Sequence, residues 1–173
     1  MPLEDDLLGA FEMHSPEKIR AALDAGQSPI ALIKGKTPMM CLIEMYLRSP
    51  KFAPCVQVML EAGATIEDPV LQAVLLDDAA ALRGLMKRPG FKSGRKFDLE
   101  CTFTPLKGST ALHICAEYNS VRCAAALIKA GADVNARAAI DAYGFGGIAV
   151  AFGRNSLVEY DRSEEHTSEL QSL

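Results

Sequence analysis

Several short stretches of this chain carry residue types that could do chemistry. Gly35-Lys36-Thr37 ends as a phosphate-cradling loop ends, with a glycine, a lysine and a hydroxyl. That loop needs a second glycine five positions earlier, where this chain has Ile30, and a strand leading into it, which Pro29-Ile-Ala-Leu-Ile-Lys34 does not provide. The stretch reads instead as a turn ahead of Pro38. Gly144-Phe-Gly146-Gly-Ile-Ala149 has the spacing of a dinucleotide fingerprint, but no clear strand precedes it and no βαβ unit surrounds it. Asp141-Ala-Tyr-Gly144 reads better as a turn.

The nucleophile and metal candidates fare no better. His113 and Cys115 suggest a thiol and its base, yet two residues along a helix rotate by about 200°, which sets them on opposite faces. The five cysteines (Cys41, Cys55, Cys101, Cys115, Cys123) form an odd set without a C-x-x-C pair or any zinc-ligand spacing. They read as reduced, packed thiols. Asp77 and Asp78 are adjacent carboxylates at an expected inter-helix turn, where acidic residues are ordinary. The expectation is a protein with no catalytic residues, no metal and no cofactor.

One basic stretch stands apart. Lys87, Arg88, Lys92, Arg95 and Lys96 surround Phe91 and Phe97 in a connection longer than the usual two-to-eight-residue link between helices. It is either a finger that presents Lys92, Arg95 and Lys96 to an acidic partner, or a solvated loop pinned by its phenylalanines. In the first case charge reversal at Arg95 and Lys96 weakens partner capture without altering the melting temperature.

The elements that position these residues are repeats. Gly35-Lys-Thr-Pro-Met-Met-Cys-Leu-Ile-Glu44, closing at Val56 to Ala64, lines up with Gly108-Ser-Thr-Ala-Leu-His-Ile-Cys-Ala-Glu117, closing at Ala124 to Ala132. The opening glycines lie 73 residues apart and the closing Gly63 and Gly131 lie 68 apart, the difference being an insertion at Leu47 to Lys51. A separation of 68 leaves room for one degenerate copy between them, seen at Pro69 to Asp78 and Ala80 to Lys87. A further helix pair opens the chain, with Ser15 as N-cap and Pro16 at the first helical position. Gly26, Gly63 and Gly131 each follow an apolar helix, where a left-handed backbone suits glycine.

Thr110-Ala-Leu-His-Ile-Cys-Ala116 carries the Thr, Leu, His and Ala of T-P-L-H-x-A, and Ala130-Gly-Ala-Asp-Val-Asn-Ala136 supplies a matching close. On these motifs the chain resembles the ankyrin repeat family, strongly over 105–137, moderately over 33–68 and weakly elsewhere between 3 and 137. Ala111 replaces the family's proline, and Met39 and Met40 stand where Leu and His belong. The resemblance implies an all-α, ankyrin-type solenoid of about four helix-turn-helix repeats plus an incomplete fifth. Helix pairs are expected near 4–25, 38–62, 69–88 and 110–130, with a long loop over 89–107. The repeat domain is expected over 1–146, with a corrupted fifth repeat over 147–161. The first pair is expected to cap the array with Glu4, Asp5, Asp6, Glu12, Glu17 and Lys18.

Residues 162–172 resemble a translated sequencing-library adapter, so 162–173 are expected to be a non-native tail behind an N-terminal fragment; the alternative is a genuine polar tail.

Composition bounds the function. Hydrophobic residues make up 49% and charged residues 23%, enough to build a core and too apolar for intrinsic disorder. Aromatic residues are only 6%, with no Trp, which favours packed helices over a β-sandwich. The net charge of −4 argues against nucleic acid and anionic membranes as partners. No apolar run is long enough to span a membrane, and the acidic start is unlike a secretory signal, so the expected compartment is the cytoplasm. The resemblance implies a non-catalytic scaffold that binds a partner protein through the concave face and turn tips. Carried over by position, its contacts are Leu106, Lys107, Ser109, Glu117, Tyr118 and Arg137 in the strong repeat, with Tyr118 the expected hot spot. The earlier contacts are Ile33, Lys34, Lys36, Glu44 and Met45. The alternative is an N-terminal regulatory or targeting module of a larger enzyme. The expected state is monomeric, with aggregation where an uncapped end exposes apolar surface.

Overall fold

The computed structural model describes residues 3–45, 47–99 and 106–138, and the side chains from Leu7 onward within them. The readings of 139–161 as a fifth repeat, of Gly144 to Ala149 as a nucleotide motif and of 162–173 as a tail lie outside the described residues, as do Cys101 and the side chains of Glu4, Asp5 and Asp6.

The helices form where the sequence marks them. They are α1 (Leu3–Glu12), α2 (Pro16–Asp24), α3 (Pro38–Ile43), α4 (Phe52–Glu61), α5 (Pro69–Leu75), α6 (Ala79–Met86), α7 (Ala111–Tyr118) and α8 (Val121–Lys129). Three of them start with proline behind a polar cap. The Ser15 hydroxyl accepts from the Lys18 amide, Thr37 accepts from Met40, and Asp68 accepts from both Val70 and Leu71. Each cap satisfies amides that the first helical turn leaves open, and the proline has no amide to leave open. Asp78 does the same for α6 through Ala80 and Ala81. Gly63 and Gly131 close α4 and α8 with φ of +99° and +84°, as expected.

The fold is helix-rich but not all-α. Two strands form in and just after the stretch expected to be a loop over 89–107: β1 (Lys96–Leu99) lies inside it, and β2 (Leu106–Thr110) runs from its end into the expected start of the last helix pair, the two being paired antiparallel. Lys96 faces Thr110, Phe97 faces Ser109 and Leu99 faces Leu106, with a shift of register between Phe97 and Leu99. Phe97 and Leu99 point inward while Lys96 and Asp98 point out, which is the period-two alternation of a half-buried strand. The Asp98 carboxylate accepts from the Gly108 amide at 2.7 Å and steadies the shifted region.

Two compact units result, one up to Glu67 and one from Asp68 onward. In the first, α1 packs on α2 and α3, and α2 and α3 both pack on α4. Leu7, Phe11, Ile19, Leu42, Val56 and Met59 are among its fully buried side chains. In the second, α5 packs on α6 and α7, and α6 and α7 both pack on α8, around Val74, Leu75, Leu82, Ile114 and Leu127. Each helix is short, so its stability comes from this burial and not from propensity.

Candidate functional site

The turn ahead of α3 is built to be rigid. Lys34 and Gly35 both take positive φ, +48° and +84°, and Ile33 and Lys36 exchange two backbone hydrogen bonds of 2.8 and 3.0 Å. This is the geometry of a two-residue hairpin turn. Just before it, the Ser28 hydroxyl accepts from the amides of Ile30 and Ala31. The turn in turn exposes two large apolar side chains, Ile30 and Leu32, each 63% accessible. Gly35-Lys36-Thr37 is thus a turn and a helix cap: Lys36 Nζ pairs with the Glu44 carboxylate, and Thr37 caps α3.

The contacts carried over from the resemblance divide by burial. Lys34, Lys36, Lys107 and Arg137 are exposed, and Met45 and Glu117 are half-buried. Ile33, Glu44, Leu106, Ser109 and Tyr118 are buried, a correction to their expected place on the surface. Ile33 and Leu106 turn inward because they sit on strand-like backbone whose other face meets solvent. Glu44 is covered and neutralised by Lys36, and Tyr118 lies in the α7 core face, so it cannot serve as the anchor of a surface hot spot. The sequence reading missed Ile30 and Leu32; the signal was two large aliphatics in the same short, turn-rich stretch.

Two of the five basic side chains in the stretch are tied down. The Arg95 guanidinium pairs with Asp68, the cap of α5, and lies 4.3 Å over the Phe97 ring. Lys96 Nζ donates to the Arg137 carbonyl at 2.7 Å, while Lys92 stands in solvent. The expectation that reversing Arg95 leaves stability unchanged is therefore corrected, because a carboxylate there would face Asp68 and lose the stacking on Phe97.

Thr110 and His113 are bonded to each other at the start of α7. The His113 Nδ1 lies 2.7 Å from the Thr110 hydroxyl and accepts from the Thr110 amide at 3.2 Å, so the ring closes the first turn of α7 and is not turned to a thiol. Burial pushes the Cys55 and Cys123 thiols up to about 12, with the nearby charges of Glu17 and Asp77, respectively, adding to the effect. Burial raises Cys115 well above the ordinary range, and Cys41 is raised by burial and then by Glu44. A thiol held protonated at neutral pH is a packing group and not a nucleophile. Among the described residues no three of His, Cys, Asp and Glu come together as a metal-binding group, and no helix is long and apolar enough to cross a membrane.

Asp77 does more than an ordinary turn residue. Its backbone is left-handed, φ +49°, and its carboxylate accepts from the Cys123 amide at 2.8 Å and from Arg122 Nε at 3.0 Å. Cys123 is in the first turn of α8, so Asp77 caps a helix of the neighbouring pair, 46 residues away. Cys123 returns a bond from its sulfur to the Ala73 carbonyl, at 3.5 Å.

Comparison with known families supports the ankyrin resemblance. The family model described as Ankyrin repeat matches residues 107–139, the stretch that holds most of β2 and all of α7 and α8. The resemblance read from Thr110 to Ala116 and from Ala130 to Ala136 is supported there. No curated protein matches the chain.

Proposed function

We propose that this chain is a non-catalytic protein-interaction scaffold that binds a partner protein through its turn tips and the exposed sides of its helix pairs. Ankyrin repeats are generally protein–protein interaction modules and generally non-catalytic, and residues 107–139 match that family. In this reading the contacts are Ile30, Leu32, Lys34, Lys36 and Met45 in the first unit, and Lys107, Glu117, Arg137 and the solvent-facing Lys92 in the second. Binding needs no cofactor and takes place in the cytoplasm on a monomer.

The observation that carries this reading is the first tip. Two aliphatic side chains stand mostly in solvent on a loop already fixed by the Ser28 bonds and the Ile33–Lys36 pair. An exposed apolar pair costs solubility, and a pre-ordered loop loses little entropy on binding. The test is affinity capture from cells with the wild-type chain and with an Ile30→Asp, Leu32→Asp variant, after matching their melting temperatures. A specific protein held by the wild type and lost by the variant is expected. Retention of the same proteins by both would contradict the reading.

A further inference from the structure

We propose that His14 makes the first helix pair acid-sensitive: a proton on its ring releases the turn between α1 and α2 from the segment ahead of α4. This regulation goes beyond partner binding and stands whether or not the tip at Ile30 binds a protein.

His14 is fully buried in a left-handed backbone conformation, φ +44°. Its Nδ1 lies 2.9 Å from the Ser49 hydroxyl, 35 residues on, and its ring meets the Phe52 ring at 5.4 Å. Nε2 is buried with no hydrogen-bond partner among the described residues. A neutral ring fits this place when Nδ1 donates to Ser49, because Nε2 is then a bare lone pair and no donor is stranded. A protonated ring does not fit, since both nitrogens become donors and Nε2–H meets no acceptor.

The surrounding charges do not rescue the cation. Glu12 ends α1 in solvent, and Glu17, at the start of α2, is exposed and bonded to Ser15. Lys18 on α2 reaches the Met13 sulfur. Arg48 and Lys51 lie in the segment ahead of α4, and Arg48 acts on the ring as a like charge. Burial first, and Arg48 second, hold the imidazole below its ordinary value of about 6.5. The sign follows from linkage: as pH falls through about 6.5 the unfolded chain takes up the proton first, so stability is full above that pH and declines below it.

The test compares thermal unfolding of the full chain with that of His14→Asn between about pH 7.5 and 5. Asparagine accepts the left-handed backbone, as Asn119 does at φ +56°, and does not titrate. The wild-type melting temperature should fall by several degrees more than the variant's over that range. Equal falls would overturn the proposal, whatever the variant's absolute stability. A second readout needs no folded variant at position 14: NMR titration of the wild-type ring, assigned with the help of His113→Gln and His166→Gln. The ring should titrate below about 6.5, with the amides around Ser49 moving on the same curve. Titration at or above that value, or an undisturbed Ser49 segment, would overturn it.

Discussion

The turn between α1 and α2 and the turn between α5 and α6 occupy the same place in their helix pairs, and each holds a non-glycine residue in the left-handed conformation. In the first, His14 reaches across to Ser49, ahead of α4; in the second, Asp77 reaches across to Cys123, at the start of α8. Both side chains tie their own pair to the next one along the chain within the same unit. The chemistry differs. Asp77 is partly exposed and meets two donors, a backbone amide and a guanidinium, so a charge is what it needs. His14 is sealed in and meets a hydroxyl, an aromatic ring and a like charge, so a charge is what it must avoid. The turn between two paired helices can thus be filled by opposite electrostatic solutions, and the neighbours decide which.

Removing the second tie is the larger test of this comparison. Asp77→Gly keeps the left-handed backbone and deletes the cap on α8, so it should cost about 0.5–2 kcal/mol in denaturant unfolding, the range for loss of a helix cap. A cost near zero would mean that the bond to Cys123 adds nothing to what core packing supplies. Removing Arg122 sharpens the same point. Its side chain is 73% exposed and screened by solvent, so Arg122→Ala should cost far less than Asp77→Gly in the same unfolding measurement, most of the value of Asp77 lying in the amide and not in the ion pair. A cost equal to that of Asp77→Gly would reverse that assignment.

Helix starts and ends among the described residues were legible because their signals are local. Ser15-Pro16, Thr37-Pro38 and Asp68-Pro69 mark helix starts within a few residues, and Gly63 and Gly131 mark ends. The hairpin was not read, although Lys96-Phe97-Asp98-Leu99 alternates as a strand should, because its partner strand lies beyond a connection that reads as loop. The surface was read least well. Whether Ile33 or Ile30 faces solvent depends on the Ile33–Lys36 turn, and Tyr118, a contact by repeat position and a hot spot by residue type, lies on a helix face that is buried. Arg95 was taken as free because Asp68 lies 27 residues earlier, and the roles of His14 and Asp77 were hidden for the same reason.

Turn residues of opposite electrostatic character thus tie the helix pairs together, His14 in the first unit and Asp77 in the second. Hydrogen exchange of the wild-type chain at neutral pH and at about pH 5.5, corrected for the intrinsic pH dependence of exchange, tests it in one experiment, since histidine is the side chain whose charge changes in that range. Amides around Ser49 to Phe52 should lose protection on acidification while those around Arg122 to Ala124 keep theirs. Equal loss in both segments, or none at Ser49 to Phe52, would contradict it.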